Sequence, residues 1–133
     1  MFVHCCHCLN CQSQTGSAFV INAIIETERI EQLSGETVVT ELQAGDGRPH
    51  DIYRCPDCLC AVWSDYGRRP GVRCVRVGTL DDPTALAPDV HIFTRSKQPW
   101  VRLPDGIPAF EVLYDAKQLW PAASLRRWRV VAG

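Results

Sequence analysis

Short runs of β-branched and apolar residues, separated by turn-forming residues, predict a succession of strands along most of the chain. Ala18 to Glu26 (AFVINAIIE) is such a run, and Gly16 punctuates the stretch before it. Arg29 to Leu33 and Thr37 to Leu42 follow, with Ser34-Gly35 between them as a hairpin connection. The segment Gly45-Asp46-Gly47-Arg48-Pro49 is a loop by composition. His50 to Cys55 and Ala61 to Tyr66 read as strands on either side of a cysteine-rich turn. Val72 to Leu80 (VRCVRVGTL) is another strand, with Gly78 a bulge position, and His91 to Arg95 is a further one.

The pattern then changes. Pro99, Pro104 and Pro108 fall between Lys97 and Ala109, which excludes a helix or a central strand there. Trp100 and Leu103 make this an ordered loop pinned by apolar anchors. Only the end reads as helix, with Pro121 in a first-turn position ahead of Ala122 to Trp128. The expectation is a mainly β domain with a short C-terminal helix.

Composition narrows the function classes. Hydrophobic residues make up 46% and charged residues 22% of 133 residues, ordinary for one globular domain. With a formal net charge of −1 and no basic surface wider than Arg126, Arg127 and Arg129, nucleic-acid binding is not expected. No apolar run is long enough to span a bilayer, and Met1-Phe2-Val3-His4 leads into cysteines without a signal-peptide pattern. These readings predict a cytoplasmic protein with no membrane partner.

The cysteines carry the chemistry. Eight are present, and all but Cys74 fall in two tight clusters, at Cys5, Cys6, Cys8 and Cys11 and at Cys55, Cys58 and Cys60. A disulfide framework spreads its cysteines to staple distant loops of secreted chains, whereas short clusters read as metal knuckles. Cys6-x-Cys8-x2-Cys11 supplies three thiolates to one ion. A tetrahedral zinc then has a fourth position, open to water or an exogenous ligand in a catalytic site, or filled by another cysteine in a structural one. The sequence admits both. A sulfur-rich site suits a thiol as fourth ligand, which points to chemistry on a sulfur-containing substrate.

Cys55-x2-Cys58 is half of a structural zinc site or a redox pair, and the absence of a βαβ pattern around it speaks against the redox reading. Cys60 is either a third ligand there or, the reading preferred, an unliganded core residue, and Cys74 reads as a small buried hydrophobe. Cys5, next to Cys6, cannot share its ion. His7 is either a support of the site or a solvent-facing spacer, and His91 either a site residue or a hydrogen-bonded structural one.

The ordered set of motifs resembles the glutathione-dependent formaldehyde-activating enzyme family, which also includes centromere protein V. The residues that carry the resemblance are Cys6-His7-Cys8-x2-Cys11-Gln12 with Thr15-Gly16-Ser17, Cys55-x2-Cys58 before Ala61-Val62-Trp63, Val77-Gly78-Thr79-Leu80-Asp81-Asp82, and His91-Ile92-Phe93-x2-Ser96-Lys97-x-Pro99-Trp100-x2-Leu103-Pro104-Asp105-Gly106. The resemblance implies an Mss4-like fold of coiled β-sheets (a β-tent) with two zinc sites. It implies a catalytic zinc on Cys6, Cys8 and Cys11, and a structural zinc on Cys55 and Cys58 with an upstream C-x-C pair.

That upstream strand does not precede Cys6 here, so the expectation is a single zinc-binding domain over 1–133 without it, in which Cys55 and Cys58 hold metal weakly or not at all. The resemblance further implies a carbon–sulfur lyase acting on a glutathione-like thiol and a small aldehyde adduct. For such an enzyme the loop around Lys97 and Trp100 is expected to line the substrate pocket, with Lys97 attracting a carboxylate; a solvated loop cation and a core anchor are the alternatives for the two residues. A non-catalytic zinc-binding structural or interaction module is the alternative. Reductase chemistry on methionine sulfoxide, a third possibility on a related fold, finds no nucleophile assigned to it.

Overall fold

In the computed structural model, which describes residues 1–131, seven strands form one sheet in the order β3-β4-β5-β6-β2-β1-β7. These are β1 (Phe2–Cys6), β2 (Val20–Glu26), β3 (Val38–Gln43), β4 (Pro49–Arg54), β5 (Ala61–Tyr66), β6 (Val72–Arg76) and β7 (Val90–Ile92). All neighbours are antiparallel except β1 and β7, which run parallel with Cys5 opposite His91 and Cys6 opposite Ile92. The mainly β architecture with a C-terminal helix is as expected. Among the described residues no helix is long and apolar enough to cross a membrane.

Side chains alternate across β1, and this decides where the chemistry goes. Phe2 and Cys6 face a core with Ile24, Val72, Val90, Ile92 and Trp120. Helices α2 (Ala116–Leu119) and α3 (Ala122–Val131) border that core through Leu119, Leu125, Trp128 and Val131. Arg127 of α3 makes a paired contact with the buried Glu26 of β2, at 2.6 and 2.7 Å, so the C-terminal helix is also bound by charge. Gly71 marks the close approach of this helix to the sheet, since a Cβ there would lie 2.7 Å from the Val131 carbonyl oxygen.

Several expectations are corrected. Arg29 to Leu33 is no strand: Thr27–Arg29 makes one 3₁₀ turn, and no strand forms before Val38. Glu28, Arg29, Glu31 and Gln32 offer no apolar face to bury, and Gln32 donates to the Gly35 carbonyl within its own turn. β6 stops at Arg76, where Val77–Thr79 turns, and β7 stops at Ile92, because Phe93 takes a left-handed conformation (φ 56°). Trp100 is 71% exposed and anchors nothing; the adjacent Val101 is the buried residue of that loop. Three elements went unpredicted, β1, α1 (Leu9–Thr15) and α2, the first two inside a segment whose cysteines obscure the apolar period.

The proline-rich loop closes the outer edge of the sheet. His91 donates to the Pro108 carbonyl at 2.9 Å, and Phe110 donates back to the His91 carbonyl at 2.9 Å. This leaves β7 without a bare edge beside the cysteine segment.

Candidate metal centre

β1 delivers Cys6 at its last residue, Cys8 caps α1, and Cys11 lies in the first turn of that helix. The Cys8 sulfur accepts the Cys11 backbone N–H at 3.3 Å, so the cap itself brings two of the cysteines together. Gly16 ends α1 in a left-handed conformation (φ 62°), which a glycine adopts freely. The three sulfur atoms lie within 4.8 Å of one another. Cys6 is buried, whereas Cys8 and Cys11 are half-buried, so the cluster has one side toward solvent.

Electrostatics within the cluster favour one shared thiolate. Hydrogen bonds from Cys11 and Cys6 hold Cys8 down to about 2. Hydrogen bonds to Cys11 and Cys8, with burial, push Cys6 far up. Cys11 is pulled down by the hydrogen bond with Cys6, but its bond to Cys8 and its burial win and raise it to about 12. Near neutral pH the set is therefore one thiolate carrying two thiol protons. That donor set fits a soft or borderline cation, which displaces the protons on binding.

Arg76 is the residue that sequence reasoning missed. It is 6% exposed, donates to the Asn22 side-chain oxygen, and places its charge near Cys11 and Cys6. The same side chain lines a surface cavity of about 500 Å³ together with Arg54, Gln14, Cys58 and Cys60. Only a strand register could have revealed it, because Arg76 stands opposite Asn22 of β2.

Opposite the three-cysteine cluster, the other side-chain set converges. Cys5 Sγ lies 3.6 Å from His7 Nε2, and His7 Nε2 lies 3.0 Å from His91 Nδ1. His7 is 0% exposed, which excludes the solvent-facing spacer. Burial, then the neighbouring His91 and Lys97, lower His7 to about 4, and burial lowers His91, so both rings are neutral near pH 7. His7 Nδ1 and His91 Nε2 have no partner among the described residues. Whichever ring donates, one N–H is stranded, at about 1–3 kcal/mol.

The remaining expected residues sit elsewhere. Cys55 to Cys60 forms the tip between β4 and β5, where Leu59 donates to the Cys55 carbonyl at 2.9 Å and Cys55 to that of Cys60 at 3.0 Å. Cys58 and Cys60 are exposed and Cys55 half-buried, so Cys60 is not the core residue expected. Among the described residues no third ligand atom joins Cys55 and Cys58 in a metal-sized group. Cys74 is half-buried against the core. Lys97 donates its ammonium to the Val101 carbonyl at 2.8 Å and that of Gln98 at 3.2 Å. Its segment is clamped to α1, because Gln12 donates to the carbonyls of His7 and Ser96 at 2.8 Å each and accepts from Gln98 at 2.7 Å.

Comparison with known families matches the profile described as glutathione-dependent formaldehyde-activating enzyme over residues 1–96. No curated protein matches the chain.

Proposed function

The chain belongs to the glutathione-dependent formaldehyde-activating enzyme family, and from that premise we propose that it is a zinc-dependent carbon–sulfur lyase-like enzyme acting on a glutathione-like thiol and a small aldehyde. The observation that carries this reading is the three-sulfur cluster of Cys6, Cys8 and Cys11, gathered within 4.8 Å and buried on one side only. These three residues would hold the zinc. Zinc held there would bind an incoming thiol at its fourth position and favour the thiolate form through direct metal–sulfur coordination.

In the forward direction the thiol sulfur forms a bond to the aldehyde carbon, the carbonyl π bond opens, and the thiol proton ends on the oxygen; no oxidant or reductant is needed. The chain's own residues bind and orient. Arg76 lines the cavity, and its charge acts on Cys11 and Cys6. With Arg54 it offers cationic partners for the carboxylates of a glutathione-like thiol. Lys97, tied to its own loop, holds that loop's shape, and its charge acts on His7. Trp100, exposed on the same loop, supplies a face to cover bound substrate.

Cys55 and Cys58 stay in the proposal as a weak metal pair. Exchange spectroscopy of formaldehyde with glutathione tests the function. The zinc-loaded protein should speed formation and breakdown of the adduct, and Cys8→Ser should not. A rate equal to the uncatalysed one in the zinc-loaded protein contradicts the reading.

A further inference from the structure

We propose that Cys5, His7 and His91 form a second metal site, on the face of β1 opposite the three-cysteine cluster, for a thiophilic cation of the zinc class. The three ligand atoms lie within 4.8 Å of one another, and all three residues are buried. Strand alternation explains the division. Cys5 and His7 are two residues apart and share one face with His91 of the parallel neighbour, while Cys6 and Cys8 take the other.

The distances suit a shared ion. Metal–nitrogen bonds of about 2.0 Å and a metal–sulfur bond of about 2.3 Å in a tetrahedron set nitrogen and nitrogen roughly 3.3 Å apart, and nitrogen and sulfur roughly 3.5 Å apart. Here the corresponding separations are 3.0 Å and 3.6 Å. One thiolate with two imidazoles is also a donor set that transition metals of this class accept.

The ligands are held in place by their backbones. The His7 carbonyl accepts from Gln12 Nε2 at 2.8 Å and Ser96 Oγ at 2.9 Å, and His7 donates its own N–H to the Ile92 carbonyl at 3.0 Å. Phe19 packs edge-on against the His7 ring at 5.4 Å. His91 is bonded on both sides of its peptide to the proline-rich loop. Charge favours the pair of sites as well. A divalent ion on one thiolate and two neutral imidazoles is positive overall, and it faces a three-thiolate cluster that stays negative with its own divalent ion. The outer ring nitrogens lack acceptors among the described residues, so this site should bind roughly 10–100-fold more weakly than one with supported imidazoles.

The experiment loads the reduced full chain with cobalt or zinc and compares variants. Cys5→Ser and His91→Gln should each lower the metal bound at saturation by about one ion per chain while keeping the sulfur-rich cobalt spectrum of the other site. Unchanged metal content in both variants overturns the proposal. X-ray absorption on Cys8→Ser guards against misfolding of those variants and does not depend on the three-cysteine site. Imidazole scattering from its remaining bound metal supports the assignment; metal surrounded only by sulfur or by light ligands of water, or no metal at all, overturns it.

Discussion

His7 Nε2 lies 3.0 Å from His91 Nδ1, although 84 residues separate the two in sequence. The contact follows from the one parallel pairing in the sheet, β1 with β7, which brings the cysteine segment beside the start of the His91-Ile92-Phe93 run. The same pairing puts Cys6 opposite Ile92 and so roots the three-sulfur cluster in the core. Two sulfur-containing groups, one on each side of β1, are therefore set by one strand.

Metal binding at Cys6, Cys8 and Cys11 should release protons. The free cluster retains thiol protons on Cys6 and Cys11 near neutral pH, because both are raised while Cys8 is lowered. Loading should release about two protons per ion, so the apparent affinity rises with pH across the neutral range. Calorimetry in buffers of different ionisation enthalpy gives that count. Cys8→Ser should weaken binding at this site by at least about a hundredfold, or about 2.7 kcal/mol.

Stability should depend on acid through Glu26. The guanidinium of Arg127 holds its carboxyl down to about 2, below the unfolded range. A carboxyl lowered in the folded state stabilises above its unfolded value and loses that contribution as pH falls from about 4.5 toward 2. Glu26→Gln should cost about 1–2 kcal/mol at pH 7, a value reduced by the partial exposure of Arg127, and much less near pH 2. Urea denaturation at the two pH values measures the difference.

How much of this was legible in the sequence depended on whether a local signal existed. Val20–Glu26 and Val38–Gln43 lie close to the expected strands because β-branched residues mark them. The spacing of Cys6, Cys8 and Cys11 was enough to expect their three sulfurs side by side, since they sit on one turn. Spacing also placed Cys5 and His7 two apart, a hint of a common face, but nothing local indicated His91 as their neighbour. Arg76 looked like one more polar position in a strand, and its approach to the sulfurs needed the pairing with β2. In the proline-rich loop no period exists, so the choice between Trp100 and Val101 as the buried residue had no basis.

Packing of the last helix should fail at Gly71. A Cβ there meets the Val131 carbonyl oxygen at 2.7 Å and Val131 Cβ at 3.0 Å, and the nearest atom is backbone. Gly71→Ala should destabilise by about 1–3 kcal/mol. Fluorescence of Trp120 and Trp128, which pack edge to face at 5.3 Å, should shift if the helix moves away.

Substrate affinity should respond to the exposed loop without loss of fold. Trp100→Ala removes a side chain that is 71% exposed, so thermal stability should stay within about 0.5 kcal/mol of the parent. The KM for a glutathione-like thiol should rise several-fold while kcat changes little, as for loss of uniform binding. Arg54→Met should raise KM in the same way through the cavity. Steady-state rates at several thiol concentrations separate the two parameters.

Cobalt spectroscopy with added thiol tests the central claim most directly. Cobalt is loaded into the three-sulfur cluster of Cys6, Cys8 and Cys11, and glutathione, then a simpler thiol, is titrated in. An open fourth position predicts growth of thiolate-to-cobalt charge-transfer bands that saturates with each thiol, becomes tighter as pH rises toward the free thiol value of about 8.5, and is lost or distorted in Cys8→Ser. A spectrum that neither thiol changes, already that of four protein thiolates, would contradict the account and make the centre a closed structural one.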